Sequence, residues 1–441
     1  MPLQERVEAE LAKAATGTRF GLVVTDAQGR EIVAVNPDGR FMPASNTKIV
    51  TTAAAFATLP ALDQPDNSGG ATVGIEGRDV ILTGNGDARL SSAPDCIANC
   101  LSQLADAIAA RTKRVRNITG DATLFVDERW SAGMSWNNIP TRSGTAIAAL
   151  TLDDNELVAK VTPAAIGQPP RLDHLGYLAI DNRAVTVAAG GKTDLSYDRL
   201  PFERTIRLTG TIAADAGERA LRFGIDDPAH YAAWRLAALL KERGVKVTGA
   251  VASRYRSTTQ STVSPSPLAK LTPPPLVEDV RTINKDSQNL HAELLLRRTG
   301  AGSVAGGLSQ VEAMFATAGV PRTAWDFSDG SGMSTYNRIS PRGMVKLLNW
   351  VAGQPWSATF RDTLPIGGVD GTLARRFKGT ALEGRIFAKT GSINATSALA
   401  GYFLTKSGRT LTFAAYANDV PSEASATPMT DAALVMIAEA N

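Results

Sequence analysis

Apolar residues fall into runs of three kinds along this chain. The first is helical: Ile49-Val50-Thr51-Thr52-Ala53-Ala54-Ala55-Phe56-Ala57 is apolar and Ala-rich, the pattern of a helix buried on most sides, and Phe41-Met42-Pro43-Ala44 reads as the loop that feeds it. The spacing of Leu290, Leu294 and Leu295 predicts another helix with Asp286 or Ser287 near its start, and a third covers 231–241 and is ended by Gly244. The second kind is short and β-prone, as in Asp79-Val80-Ile81-Leu82 and Ala184-Val185-Thr186-Val187-Ala188. The third kind is a pair of longer runs, 398–404 and 410–416, joined by Lys406-Ser407-Gly408-Arg409; this reads as a β-hairpin, with 385–392 on the adjoining strand.

Three short polar motifs interrupt these runs: Ser45-Asn46-Thr47-Lys48, Ser287-Gln288-Asn289 and Lys389-Thr390-Gly391, the last followed by Ser392. Residues three apart on a helix are neighbours, so the Lys48 amine reaches the Ser45 hydroxyl. The serine then sits at a helix start, where unpaired N–H groups favour a developing oxyanion. A serine is a poor nucleophile without a base, and a lysine serves as base only when neutral. Burial lowers its proton affinity, and so does a second cation; Lys389 is expected to supply that charge. Ser287 and Asn289, two apart, face one cleft only from a turn; there the hydroxyl can relay a proton and the carboxamide can hold a carbonyl or steady the lysine. On the third strand Gly391 permits close approach of a ligand, while Lys389, Thr390 and Ser392 offer donors to a carboxylate. Taken singly, the first two motifs fit helix capping and the lysine fits a solvated hairpin residue. Together, and in this order, they are what serine-lysine acyl transfer requires.

At these residues the chain resembles the low-molecular-mass class C penicillin-binding proteins, the D-alanyl-D-alanine carboxypeptidase and endopeptidase family. Asp329-Gly330-Ser331-Gly332-Met333-Ser334, Tyr336-Asn337-Arg338-Ile339-Ser340-Pro341 and 364–373 are similar to segments of that family, as are Thr83-Gly84-Asn85-Gly86-Asp87 and Trp136. The likeness is strongest from Asp279 onward and weakest between Glu156 and Ile225. Gln288 departs from it, since relatives often carry Asp or Asn there. The resemblance implies an α/β (α+β) fold: a serine β-lactamase/transpeptidase-like catalytic domain, an antiparallel sheet flanked by helices, with large inserted β-rich domains.

The spacing supports an insertion independently, because the stretch between Ser45 and Ser287 is long enough for one or two further domains. Residues 1–60 and 268–441 are expected to form the catalytic domain, with Thr272-Pro273-Pro274-Pro275 marking the return to it, and 61–155 with 227–267 the inserted domain. Family analogy nests a third domain over 156–226.

Length agrees with roughly three domains. A formal net charge of +3 over 441 residues implies neither nucleic acid nor an anionic membrane as partner, and the basic run Arg111, Lys113, Arg114, Arg116 reads as solvated surface after a helix. No stretch is long and apolar enough to span a bilayer. The residues after Met1 lead directly into an amphipathic helix and do not read as an export signal; since the implied substrate lies outside the cytoplasmic membrane, a periplasmic or extracytoplasmic protein is expected, its export signal absent from this sequence. Cys96 and Cys100 stand four apart near the start of a predicted helix: an exported protein permits a disulfide, regular helix makes one awkward, and the pairing stays open. His174, His230 and His291 show no metal spacing, and a Gly-x-Ser-x-Gly elbow is absent.

The expectation is a serine D-alanyl-D-alanine carboxypeptidase, with endopeptidase action also open, that needs no cofactor. Its partners would be peptidoglycan stem peptides, and β-lactams would inhibit it covalently. Ser45, Lys48, Ser287 and Asn289 would be catalytic; Lys389, Thr390, Gly391 and Ser392 would bind the substrate carboxylate; Trp136 and Asp127 would contact the third stem residue. A β-lactamase or esterase on the same scaffold and a weakly catalytic cell-wall binding protein are the alternatives.

Overall fold

The computed structural model describes residues 1–256 and 266–441, and its contacts divide the chain into two compact units. Unit 1 comprises Met1–Gln64, Ser131–Gly133 and Pro275–Asn441; unit 2 comprises Pro65–Trp130 and Met134–Pro274. Among the described residues no helix is long and apolar enough to cross a membrane.

Unit 1 is built on a five-stranded antiparallel sheet in the order Ile386–Ile393, Thr396–Leu404, Thr410–Asn418, Arg19–Thr25, Glu31–Val35. Alternation along each strand sorts side chains to two faces. Leu22, Val24, Phe413 and Ala415 join a core that includes Val7 and Leu11 of the helix Leu3–Leu11 and Leu434 and Ile437 of the helix Thr427–Ala440. Val23, Ala414 and Tyr416 join the other core, with Ile49, Val50, Phe315, Leu347 and Leu348. The hairpin read from the sequence is present, its strands extending to Thr396–Leu404 and Thr410–Asn418.

The helix Thr47–Thr58 runs through this second core, and every residue from Thr47 to Ala55 is buried. Its alanines let neighbouring helices approach closely. Its buried threonines bond main-chain carbonyls, Thr52 that of Lys48 at 2.7 Å and Thr51 that of Gly330 at 2.7 Å, so no hydroxyl there is left dry and unpaired.

Unit 2 holds a mixed five-stranded sheet in the order Val251–Arg256, Ile118–Val126, Asp79–Thr83, Thr72–Glu76, Ala269–Lys270, with helices Leu101–Arg111 and Pro228–Glu242. Residues 156–226 form two sheets of their own: three strands, Arg219–Gly224, Glu156–Thr162 and Arg171–His174, and four built around Thr205–Ala213. This pairing, which meets the rest of unit 2 at the Thr141–Phe223 bridge, supports, as a proposal, a nested domain over 156–226 within unit 2.

Cys96 and Cys100 form a disulfide with Cα atoms 5.9 Å apart. Cys100 is the N-cap of Leu101–Arg111 and has extended backbone angles, so the bridge lies ahead of the helix and the objection from helical geometry does not arise. Of the basic run, Arg116 is exposed and paired with Asp79 at 2.6 Å.

Candidate active site

Ser45 lies in a single 3-10 turn, Ala44–Asn46, that leads into the helix Thr47–Thr58. Ala44 adopts φ +47°, a left-handed conformation that L-residues avoid, and the carbonyl it presents is approached by Gly332, where an added Cβ would meet Ala44 O at 1.9 Å. Backbone from another part of the chain therefore presses against the serine turn, and only glycine fits there.

The Lys48 amine is fully buried and donates to three oxygens: Ser45 Oγ at 2.9 Å, Asn289 Oδ1 at 2.7 Å and the Ser331 carbonyl at 2.6 Å. Burial pushes its pKa down to about 7, against the upward pull of the Asp329 and Glu293 carboxylates. The expected lowering by Lys389 is not the cause. Lys389 is itself buried, and its pKa is driven well below the usual lysine range by burial and then by Lys48.

The second motif joins the helices Leu276–Lys285 and Asn289–Thr299, and the latter starts two or three residues later than its leucine spacing suggests. The cause is Ser287, whose φ of +60° turns the chain sharply before helix begins. That turn lets Ser287 and Asn289 act at neighbouring points: Ser287 Oγ accepts from Lys389 Nζ at 3.0 Å, and Asn289 Oδ1 accepts from Lys48. Gln288 between them is the N-cap, its side-chain oxygen accepting from Leu290 N at 3.4 Å.

Lys389, Thr390, Gly391 and Ser392 lie on Ile386–Ile393, an edge strand. Ala388 N–H bonds outward to Pro365 O at 3.0 Å, so by alternation the N–H groups of Thr390 and Ser392 also point off the free edge. Asn46 Nδ2 donates to Lys389 O at 2.7 Å, tying this strand to the residue after the nucleophile. A Cβ on Gly391 would lie 2.5 Å from Pro43 O, so glycine is what allows strand and serine turn to meet. Thr390 Oγ1 donates to Thr372 Oγ1 at 2.7 Å, and Ser392 is exposed.

Seven of the expected residues thus gather in unit 1 around the buried amines, with Ser392 beside them at the strand edge. Trp136 and Asp127 lie in unit 2, whereas the cluster is built from unit 1 alone. Asp127 is paired with Arg129 at 2.9 Å, and Trp136 is 61% exposed on a short 3-10 turn.

The loop 329–337 and Glu293 lie outside the three motifs yet border the Lys48 amine. Asp329, fully buried, accepts from Gly332 N at 2.9 Å, Ser334 N at 2.6 Å and Asn337 Nδ2 at 2.6 Å. Burial and the nearby Glu293 carboxylate push its pKa up to about 6. Glu293 Oε1 accepts from Gly330 N at 3.0 Å and Ser331 N at 2.9 Å, while Oε2 accepts from Arg297 at 2.8 Å. The signal for Glu293 was an acid amid leucines, at a position that the helical spacing buries.

Comparison with known proteins gives the family. The D-Ala-D-Ala carboxypeptidase 3 (S13) family matches residues 3–441. A D-alanyl-D-alanine carboxypeptidase from an Actinomadura species is 34% identical over 435 residues, covering 91% of this chain and 78% of the relative. A carboxypeptidase from Mycolicibacterium smegmatis is 27% identical, covering 95% and 81%. Among solved structures, penicillin binding protein 4 from Haemophilus influenzae superposes with a TM-score of 0.81 at 21% identity, over 98% of this chain and 97% of that one, which establishes the β-lactamase/transpeptidase-type fold. The chain belongs to the D-Ala-D-Ala carboxypeptidase 3 (S13) family of serine peptidases.

Proposed function

We propose that this enzyme removes the terminal D-alanine from peptidoglycan stem peptides through an acyl-enzyme on Ser45, and that β-lactams acylate the same oxygen. The observation that carries this reading is the Lys48 amine, buried and held by Ser45, Asn289 and a main-chain carbonyl with no carboxylate bonded to it. A lysine with a pKa near 7 is free base often enough at neutral pH to take the serine proton.

In the proposed reaction the substrate carboxylate docks at the strand edge, against Lys389, Thr390 and Ser392. Its negative charge favours the protonated form of Lys389, and the charged Lys389 then drives Lys48 toward its neutral form, so binding and activation are coupled. Ser45 Oγ attacks the penultimate carbonyl as its proton passes to Lys48. The N–H groups of Ser45 and Ser392 receive the oxyanion. The C–N bond breaks as the leaving amine takes a proton by way of Ser287, and water then hydrolyses the ester. Of these groups, Ser45 is already hydrogen-bonded to Lys48 and Ser287 to Lys389.

An extracytoplasmic location is part of the proposal. The Cys96–Cys100 bridge supports it, since disulfides persist mainly in oxidising compartments. So does the substrate, which lies outside the cytoplasmic membrane.

The test is mass spectrometry of the products released from purified peptidoglycan, with Ser45→Ala as control. Release of D-alanine that vanishes in Ser45→Ala is expected. Turnover persisting in that variant, or rapid multiple-turnover hydrolysis of penicillin with no action on stem peptides, would overturn the reading, and the second outcome would make the enzyme a β-lactamase.

A further inference from the structure

The peptide from Gly330 to Ser331 is held at all four of its flanking polar atoms, and one side chain holds two of them. Glu293 Oε1 accepts from both N–H groups, at 3.0 and 2.9 Å; Thr51 Oγ1 donates to Gly330 O at 2.7 Å; and Lys48 Nζ donates to Ser331 O at 2.6 Å. Glu293 stands four residues after Asn289 on the helix Asn289–Thr299, so one helical face brings both the carboxamide that bonds Lys48 and the carboxylate that fixes the carbonyl bonding Lys48.

We infer that Glu293 is a positioning residue for the general base: its carboxylate fixes the Ser331 carbonyl against the Lys48 amine, and its charge sets the pH at which that amine is free to take the Ser45 proton. This rests on the reading of Lys48 as the base. A buried glutamate paired with arginine one turn away is by itself a structural feature. Here the arginine takes Oε2 and the Glu293 carbonyl, leaving Oε1 wholly to the two N–H groups. Glu293 is also one of the two carboxylates whose charge opposes the effect of burial on Lys48.

The charged groups around the amine define what the charge of Glu293 can do. Asp329 comes from the loop 329–337, Lys389 from the strand Ile386–Ile393, and Arg297 lies behind Glu293. On the helices packed against Thr47–Thr58, Asp279 and His291 face each other at 3.1 Å, and Glu312 reaches toward Arg322 at 3.9 Å. Asp329 and Glu293 are therefore the negative charges acting on Lys48, and removing one favours the neutral amine.

The experiment measures the rate of acylation by a chromogenic cephalosporin from about pH 5 to about pH 9, which captures the acidic limb. Glu293→Gln keeps an oxygen for the two N–H groups and deletes the charge; the midpoint of the limb should fall by about one pH unit. Glu293→Gln combined with Arg297→Met also removes the opposing cation, and should move the midpoint the same way by less. The midpoint is a property of the folded molecules alone, so a less stable preparation still reports it. An unmoved midpoint in both variants, with only a lower melting temperature, would make Glu293 purely structural and overturn the inference. Ser45→Ala separates the two levels: labelling that survives it removes the base assignment itself, whereas a silent Ser45→Ala beside an unmoved Glu293→Gln limb removes only the role of Glu293.

Discussion

Both units bury an arginine against a carboxylate, Arg199 in unit 2 and Arg297 in unit 1, but unit 1 also buries two lysines with no carboxylate bonded to them. In unit 2 the Arg199 side chain is 1% exposed and makes two hydrogen bonds of 2.6 Å to Asp226, with further bonds to Gly224 O and Glu203 O. Asp226 in turn accepts from Phe202 N. In unit 1, Lys48 and Lys389 are as deeply buried, yet their bonding partners are hydroxyls, a carboxamide and main-chain carbonyls. A buried cation bonded to a carboxylate keeps its charge, and the pair holds backbone in place. A buried amine bonded to neutral oxygens has its geometry fixed while its proton is easily lost. The first arrangement serves the fold; the second makes a base.

Removing each cation gives the largest expected contrast. Arg199→Met leaves Asp226 charged and buried, and unfolding in urea should show a loss of about 3–5 kcal/mol. Lys48→Met leaves three oxygens without a donor but also takes away an amine that burial disfavours; these effects offset, and stability should stay within about 1 kcal/mol of wild type. Its acylation by penicillin should fall by roughly a hundredfold to ten-thousandfold. Equal stability losses in the two variants would break the comparison, because Lys48 would then be a structural cation like Arg199.

The pH dependence of stability sharpens the same contrast at a smaller scale. Lys48 has a folded pKa of about 7, below its unfolded value of 10.5, so between those limits the unfolded chain binds more protons and stability rises with pH. Asp329 is the reverse case: its folded pKa of about 6 lies above 3.8, so between them the folded protein binds more protons and stability falls as pH rises. These two groups together give a shallow minimum between about pH 6 and about pH 7. Calorimetric melting across pH should show the alkaline rise flattened in Lys48→Met, and an unchanged rise in that variant would mean that Lys48 is not the group responsible.

What the sequence showed depended on how local each feature is. Ser45 and Lys48 lie three apart at a helix start, so their contact follows from helical geometry. The strand of Lys389 was legible because alternation and the hairpin turn are written in adjacent residues. Ser287 was legible only by its chemistry, since its left-handed backbone depends on how two helices must join. The loop 329–337 and the inclusion of Ser131–Gly133 in unit 1 depend on contacts across much of the chain: Ser334 Oγ donates to Ala132 O at 2.6 Å, and neither residue signals the other. The expectation put the lowering of Lys48 on Lys389, whereas burial is its main cause, and the depth of that burial is not displayed by a sequence.

The smallest expected effect tests whether unit 2 does more than fold. Trp136 presents an indole at 61% exposure, accessible to a ligand. The proposal is that Trp136, with Asp127, contacts the third residue of the stem peptide. Asp127 has one oxygen engaged by Arg129 at 2.9 Å and the other at 3.5 Å, which leaves acceptor capacity for a ligand cation. Trp136→Ala should change kcat/KM by about tenfold or less, through KM, and the change should differ between stem peptides with a charged and an apolar third residue. The same substitution should leave penicillin acylation alone, since a β-lactam carries no such residue. Equal kcat/KM losses on all peptides, or none, would confine recognition to unit 1 and leave the buried charges of unit 2 with a structural task only.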